Sequence, residues 1–330
     1  MTSSENGSVV TWVAEDIYQV RLPLPFRLNH SHAYLLRERD GWTIVDFGLH
    51  WVEAEKAWRA AFDTLQIQPE SIRRLVLTHM HPDHFGMAGW FQARCSLPIV
   101  VSPLEAEQIR RIWFDHGWAP DKALPWWNHC GVPEQVSQKA AERVEFLREG
   151  TFPHPTELDL LEPDTTIEMG GRLFRTIHAP GHAEGQLLFY HEDERLLLSG
   201  DQILMKITPN IGLWPTGNGN PLANYLHSLH GLRGLDVQLA LPGHGALITD
   251  WSRRIDEIIA HHNVRLEQTM EATQSSATGF DVTQFLFDID RLSPHEIRFA
   301  VAESLAHLEY LVQMESLERT LETPYHYQHL

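Results

Sequence analysis

The 330-residue chain has only two cysteines, Cys95 and Cys130, and neither belongs to a Cys-x-x-Cys pair. That count excludes a disulfide framework and a thiolate zinc ribbon. No apolar run approaches the roughly 20 residues a membrane-spanning helix needs, so no membrane span is expected. Basic residues are scarce as well: 26 Lys and Arg stand against 44 Asp and Glu, a formal charge of −18. Phosphate-rich partners demand clustered Lys and Arg, so a nucleic-acid surface over much of the protein is not expected, although a local basic patch is compatible. The start, Met1-Thr2-Ser3-Ser4-Glu5, lacks the basic and apolar segments of a secretion signal. With so little cysteine, the reducing cytoplasm is the expected compartment. Hydrophobic residues at 43% suffice for a large core, and the length suits about two domains.

Histidine, by contrast, is plentiful at 21 residues. Three imidazoles and a carboxylate fall within six positions in Thr78-His79-Met80-His81-Pro82-Asp83-His84-Phe85-Gly86, directly after the apolar run Leu75, Val76, Leu77. A short buried strand followed by such a loop is where α/β sheets place ligand sites. His and Asp are the nitrogen and oxygen donors that Zn²⁺ accepts at about 2.0–2.2 Å. In an extended loop His79 and His81 reach one ion, while Asp83 and His84 reach a second. Pro82 and Gly86 are read as fixing an irregular loop where a helix would otherwise continue.

The pattern repeats along the chain. β-prone segments run from Val9 to Val45, with Asp40-Gly41 as a hairpin turn, and Trp51 to Leu65 reads as an amphipathic helix. Further apolar strands end at Ala179-Pro180-Gly181-His182, at Ser199-Gly200-Asp201 and at Pro242-Gly243-His244-Gly245. Four strand ends thus carry metal-ligand side chains, and strands alternating with helices predict an α/β layered fold. Residues 1–250 form the expected catalytic domain. Within it, 103–155 is a helix-prone, Trp-rich insertion, read as a lid or as a packing layer. Residues 251–330 form a helical, winged-helix-like C-terminal region.

After Asp201 the chain should line the mouth of the site, which makes Lys206, Asn210 and Trp214 candidate substrate-binding residues. Tyr225 and His227 are read as helix surface, with facing the site as the alternative, and His261 and His262 are placed at surfaces or packing edges. His178 is a candidate supporting group behind the ligands.

Taken together, His79, His81, Asp83, His84, His182, Asp201 and His244 resemble the ligand set of the metallo-β-lactamase superfamily. The matching motifs are Thr-His-x-His-x-Asp-His, Pro-Gly-His at 180–182, Gly-Asp at 200–201 and Pro-Gly-His-Gly at 242–245, and Asp46-Phe47-Gly48 matches an early Asp-x-Gly turn. The resemblance implies an αββα sandwich with two metal ions, expected to be two Zn²⁺ per chain with iron or manganese as substitutes. His79, His81 and His182 would hold one ion; Asp83, His84 and His244 would hold the other, with Asp201 bridging. It also implies hydrolysis of a small-molecule carbonyl substrate (a thioester, lactone or ester) by metal-activated hydroxide, with Asp83 and Asp201 as catalytic residues. Histidine at 81 disfavours the flavo-diiron branch, and the lack of a cysteine ligand disfavours true class B1 and B2 β-lactamases. What remains is similar to glyoxalase-II-like and lactonase-like hydrolases. The tail resembles the winged-helix end of the β-lactamase-like protein 2 branch, so an endoribonuclease is one alternative and a mononuclear iron sulfur dioxygenase another. The acidic tail fits homodimerisation better than nucleic-acid binding.

Overall fold

The computed structural model describes residues 8–215, 217 and 219–330. Strands β1 (Val10–Ala14), β2 (Ile17–Pro23), β3 (His30–Glu38) and β4 (Gly41–Val45) form an antiparallel meander, and the Asp40-Gly41 turn joins the last two. Helix α1 (Val52–Leu65) leads to β5 (Ile72–Val76), which pairs with β4 in parallel. A single helical turn, α2 (Pro82–Phe85), and α3 (Ala88–Cys95) precede β6 (Ile99–Val101). Helices α4 (Pro103–Ile109), α5 (Pro120–His129) and α6 (Glu134–Glu149) fill the insertion before β7 (Leu158–Leu160) closes a seven-stranded mixed sheet.

The second sheet holds β8 (Thr166–Met169), β9 (Arg172–His178), β10 (Leu187–His191), β11 (Leu196–Gly200) and β12 (Leu239–Pro242), with α7 (Pro221–Arg233) as the crossover between its two parallel strands, β11 and β12. Alternation along these strands builds the layers. Leu187, Phe189, Leu196 and Leu198 face Tyr34, Leu36, Val45 and Val76 of the first sheet, while Leu188, Tyr190 and Leu197 face α7 and the following helix α8 (Trp251–Ala272). The opposite face of the first sheet packs Ile44 and Leu75 against Trp58 and Phe91. The expected αββα sandwich is therefore the observed architecture.

The C-terminal region adds β13 (Ala277–Thr278), α9 (Gly279–Leu286), α10 (Pro294–Gln313), β14 (Leu317–Arg319) and β15 (His326–His329), the three strands forming one small sheet. It shares a core with the insertion: Ala123, Trp127, Cys130 and Val132 pack with Phe280, Val301, Leu305 and Tyr327. Insertion and tail thus wall one side of the molecule together. No helix among the described residues is long and apolar enough to cross a membrane.

Two local expectations need correction. Pro82 does not interrupt a helix but starts one, occupying the first-turn position where its missing N–H costs nothing. Tyr225 is fully buried, its hydroxyl donating to the carbonyl of Gln202 at 2.8 Å. His262 takes the second of its two expected places, a packing edge, buried with its ring stacked on His307 and Nδ1 3.2 Å from Nε2. Both side chains sit where their helices meet a neighbouring layer. His227 is exposed, as expected of a helix surface.

Candidate metal centre

Four strand ends converge at one edge of the sandwich. β5 delivers His79, His81, Asp83 and His84, β9 delivers His182, β11 delivers Asp201 and β12 delivers His244. Three donor sets emerge whose ligand atoms lie within 4.8 Å of one another: His79, His81 and His182; His79, His84 and Asp201; and Asp83, His84 and His244. Asp201 lies between the groups, with Oδ1 3.4 Å from His84 Nε2 and Oδ2 3.2 Å from His244 Nε2 and 3.6 Å from His182 Nε2. Asp83 Oδ2 is 3.1 Å from His244 Nε2.

Four of the imidazoles turn one nitrogen outward to a fixed partner. Nδ1 meets Thr78 Oγ1 at 2.9 Å in His79, Asp46 Oδ2 at 2.9 Å in His84, the Asn210 carbonyl at 3.0 Å in His182 and the His30 carbonyl at 2.7 Å in His244. Each Nε2 is left pointing at the shared centre, the arrangement that orients metal-ligating histidines. His79 Nε2, His84 Nε2 and Asp201 Oδ1 are buried with no hydrogen-bond partner. Such orphaned atoms carry a desolvation cost unless something fills the gap between them, and a divalent cation fits both their chemistry and their convergence.

Electrostatics agree. Burial, reinforced by the neighbouring imidazoles, holds His79 well below the usual histidine range and pushes His81 down to about 3, so both stay neutral, the form that binds metal. Burial would also lower His244, but Asp201 and Asp83 outweigh it and push it up to about 10; His84 is raised for the same reason. Asp83 and Asp201 are held below the usual carboxylate range by these imidazoles against the pull of burial. Without a cation, protons on His84 and His244 balance the two carboxylates.

Two supporting acids escape a reading of the sequence. Asp46, noted only as part of a turn, takes hydrogen bonds from Thr78 N at 2.8 Å and Thr78 Oγ1 while holding His84. Glu105 sits in the first turn of α4, where an acid looks like an ordinary helix-start residue. Instead its two oxygens accept from Met80 N at 2.6 Å and Gly185 N at 2.7 Å, clamping the loop of His79 and His81 to the loop of His182. Burial raises its pKa to about 7. Glu105→Gln would turn an amide N–H toward one of these backbone donors. The expected loss is about 2 kcal/mol of stability, readable by denaturant titration, with faster metal loss to a chelator.

Gly243 completes the cradle. A Cβ there would overlap Asp201 Oδ1 and lie 2.6 Å from His84 Cε1, so the close approach of β12 to the ligands requires glycine.

Residues 27–244 match the family model of the metallo-beta-lactamase superfamily, and residues 266–329 match that of the metallo-beta-lactamase-like C-terminal domain. The chain belongs to the metallo-beta-lactamase superfamily. It is 26% identical over 320 residues to "Probable metallo-hydrolase YqjP" of Bacillus subtilis, covering 92% of this chain and 94% of that one. It is 22% identical to a "Beta-lactamase-like protein 2 homolog" of Caenorhabditis elegans over 86% of this chain and 78% of the relative. Among solved structures, a metallo-beta-lactamase family protein from Thermus thermophilus superposes with a TM-score of 0.87 at 32% identity, covering 96% of this chain and 99% of that one. A beta-lactamase domain protein from Burkholderia ambifaria gives 0.84 at 27%, covering 97% and 94%. Membership supports an enzyme of the hydrolase type with a His/Asp metal cluster.

The candidate substrate residues of this metallo-beta-lactamase superfamily chain are placed differently from one another. Trp214 lines a cavity of about 50 Å³ together with His81, His182, Met80, Ile112 and Trp118. Asn210 holds His182 through its carbonyl, while its side chain donates to the Phe299 carbonyl at 3.2 Å. Lys206 is exposed and does not line this cavity. His178 reaches the Glu184 carbonyl at 2.8 Å, bracing the His182 loop rather than a ligand side chain.

Proposed function

We propose that this protein is a dinuclear metal-dependent hydrolase of a carbonyl compound: a thioester, lactone or ester. The observation that carries the reading is the position of Asp201, set between two histidine-rich donor groups so that one carboxylate serves both. Two divalent ions held there, Zn²⁺ by preference for such donors, would supply hydroxide at neutral pH and a Lewis acid for the carbonyl. His79, His81 and His182 would hold one ion, and Asp83, His84 and His244 the other.

The remaining work falls to this chain's own groups. Asp83 is the most accessible of the charged ligands, its side chain 21% exposed against 8% for Asp201. Held ionised, it is placed to take a proton from the attacking water and pass it to the leaving group. The aromatic walls Trp118 and Trp214, beside His81 and His182, exclude water and suit an apolar acyl group. The site faces a small-molecule substrate, and the C-terminal region is assigned to packing and to self-association in the cytoplasm.

The test is metal analysis of the purified protein, followed by assays on thioesters, lactones, esters, β-lactams and RNA. Two ions per chain with turnover of at least one carbonyl class is expected. No hydrolysis across the panel with both ions bound would overturn the reading. One iron per chain with oxygen consumption would point to oxygenation, and RNA cleavage to a nuclease.

A further inference from the structure

Arg298, in the second turn of α10, is a buried cation without a counter-charge. Only 3% of it is exposed, and Nε has no hydrogen-bond partner. Among the described residues no carboxylate pairs with it and no hydrogen bond reaches it. Other buried guanidiniums in the chain are paired: Arg172 with Glu194 at 2.9 Å, and Arg254 with Glu257 at 3.0 Å and with the carbonyls of Leu204 and Ile207. What surrounds Arg298 is aromatic, with the rings of Phe299, Trp214 and Trp118 at 4.7, 5.0 and 5.9 Å. Ring faces return only part of what a cation loses when it is taken out of water, so an offset is missing. Burial, then the nearby Arg143, lowers its pKa only to about 9, leaving the charge in place at neutral pH.

Its position supplies a reason for that charge. Trp118 and Trp214 are shared with the cavity that His81 and His182 line. On the other side, Arg143 and His295 line a groove of about 710 Å³ that also presents Arg27 and Lys139. A chain of rings joins the two arginines: Arg143 lies 4.8 Å from the Phe26 ring, His295 stacks on Phe26 at 4.6 Å and meets Phe299 at 4.8 Å, and Phe299 is the ring beside Arg298. The groove holds two acids, Glu142 and Glu296, and Glu296 is engaged with Ser293 and with Arg27. Its three cations outnumber these acids, against the net charge of −18 of the chain.

We propose that Arg298, with Arg143 beside it, binds an oxyanion of the substrate, a carboxylate or a phosphate, while the substrate's carbonyl occupies the metal centre. This substrate class rests on the hydrolase reading above. An anionic group entering from the groove would supply the missing counter-charge and fix the acyl group against the tryptophans.

The test is calorimetric titration of the metal-loaded protein with succinate and, separately, inorganic phosphate at constant ionic strength. Wild type is expected to bind at least one of them saturably, and which one identifies the anion. Arg298→Met should weaken that binding about tenfold or more and Arg143→Gln about threefold, with metal content unchanged in both, so that anion binding to the ions cancels from the comparison. Arg298→Met should also keep or raise the melting temperature, because an uncompensated charge has gone. Absence of binding to wild type, or unchanged affinity in Arg298→Met, overturns the proposal; if that variant does not fold, unchanged affinity in Arg143→Gln does. Anion binding lost in Arg298→Met in a protein that hydrolyses no carbonyl would retain this site and remove only the hydrolase reading.

Discussion

Asp201→Ala is expected to give a folded protein that retains at most one metal ion per chain and loses turnover by on the order of 10³ or more, about 4 kcal/mol of transition-state stabilisation. The carboxylate lies within 3.6 Å of His84, His182 and His244, whereas Asp83, the other acid of the centre, approaches only His84 and His244. Elemental analysis against turnover measures both effects, and a fully active variant would refute the dinuclear assignment. A second readout needs no metal. In the metal-free protein the raised pKa values of His84 and His244 mean that the folded state binds protons more tightly than the unfolded chain. Their contribution to stability is fully present below the unfolded histidine value of about 6.5 and is lost as pH rises toward about 10. Asp201 is a principal cause of both shifts, so the variant should show a flatter decline of stability over that window.

The candidate ligands were legible in the sequence because they are chemically concentrated. His79, His81, Asp83 and His84 fall in one short stretch, and the Pro-Gly-His and Gly-Asp turns follow apolar runs that could only be strands. The sandwich was legible for a related reason, since the continuous apolar run Leu187 to Tyr190 marks a strand buried on both faces. Groups whose role depends on distant partners were not. Glu105 acts on backbone atoms 25 and 80 residues away, and nothing in Pro103-Leu104-Glu105 distinguishes it from a helix-start acid. Tyr225 carries a polar atom that suggests a surface, yet it finds a partner inside. The union of insertion and tail in one core, which places Arg298 behind Trp118 and Trp214, is a long-range packing event with no local signature.

Asp83→Asn separates ligation from proton transfer. The amide oxygen still offers a donor where the carboxylate stood, 3.1 Å from His244 Nε2, but it can neither hold the negative charge nor carry a proton. Metal content is therefore expected to stay near that of wild type, while kcat falls about 10²–10⁴-fold with KM little changed, the range a positioned acid–base group contributes. The loss should depend on the leaving group. For a thioester or aliphatic ester, whose departing group is basic, protonation by Asp83 matters most and the penalty should be largest. For a p-nitrophenyl ester, whose leaving group departs without a proton, the penalty should shrink by about tenfold or more. An equal penalty for both substrates would show that Asp83 only positions metal. Its greater exposure, 21% of the side chain against 8% for Asp201, favours the larger role, because a group that relays a proton to a departing substrate has to be reachable from the open side of the centre.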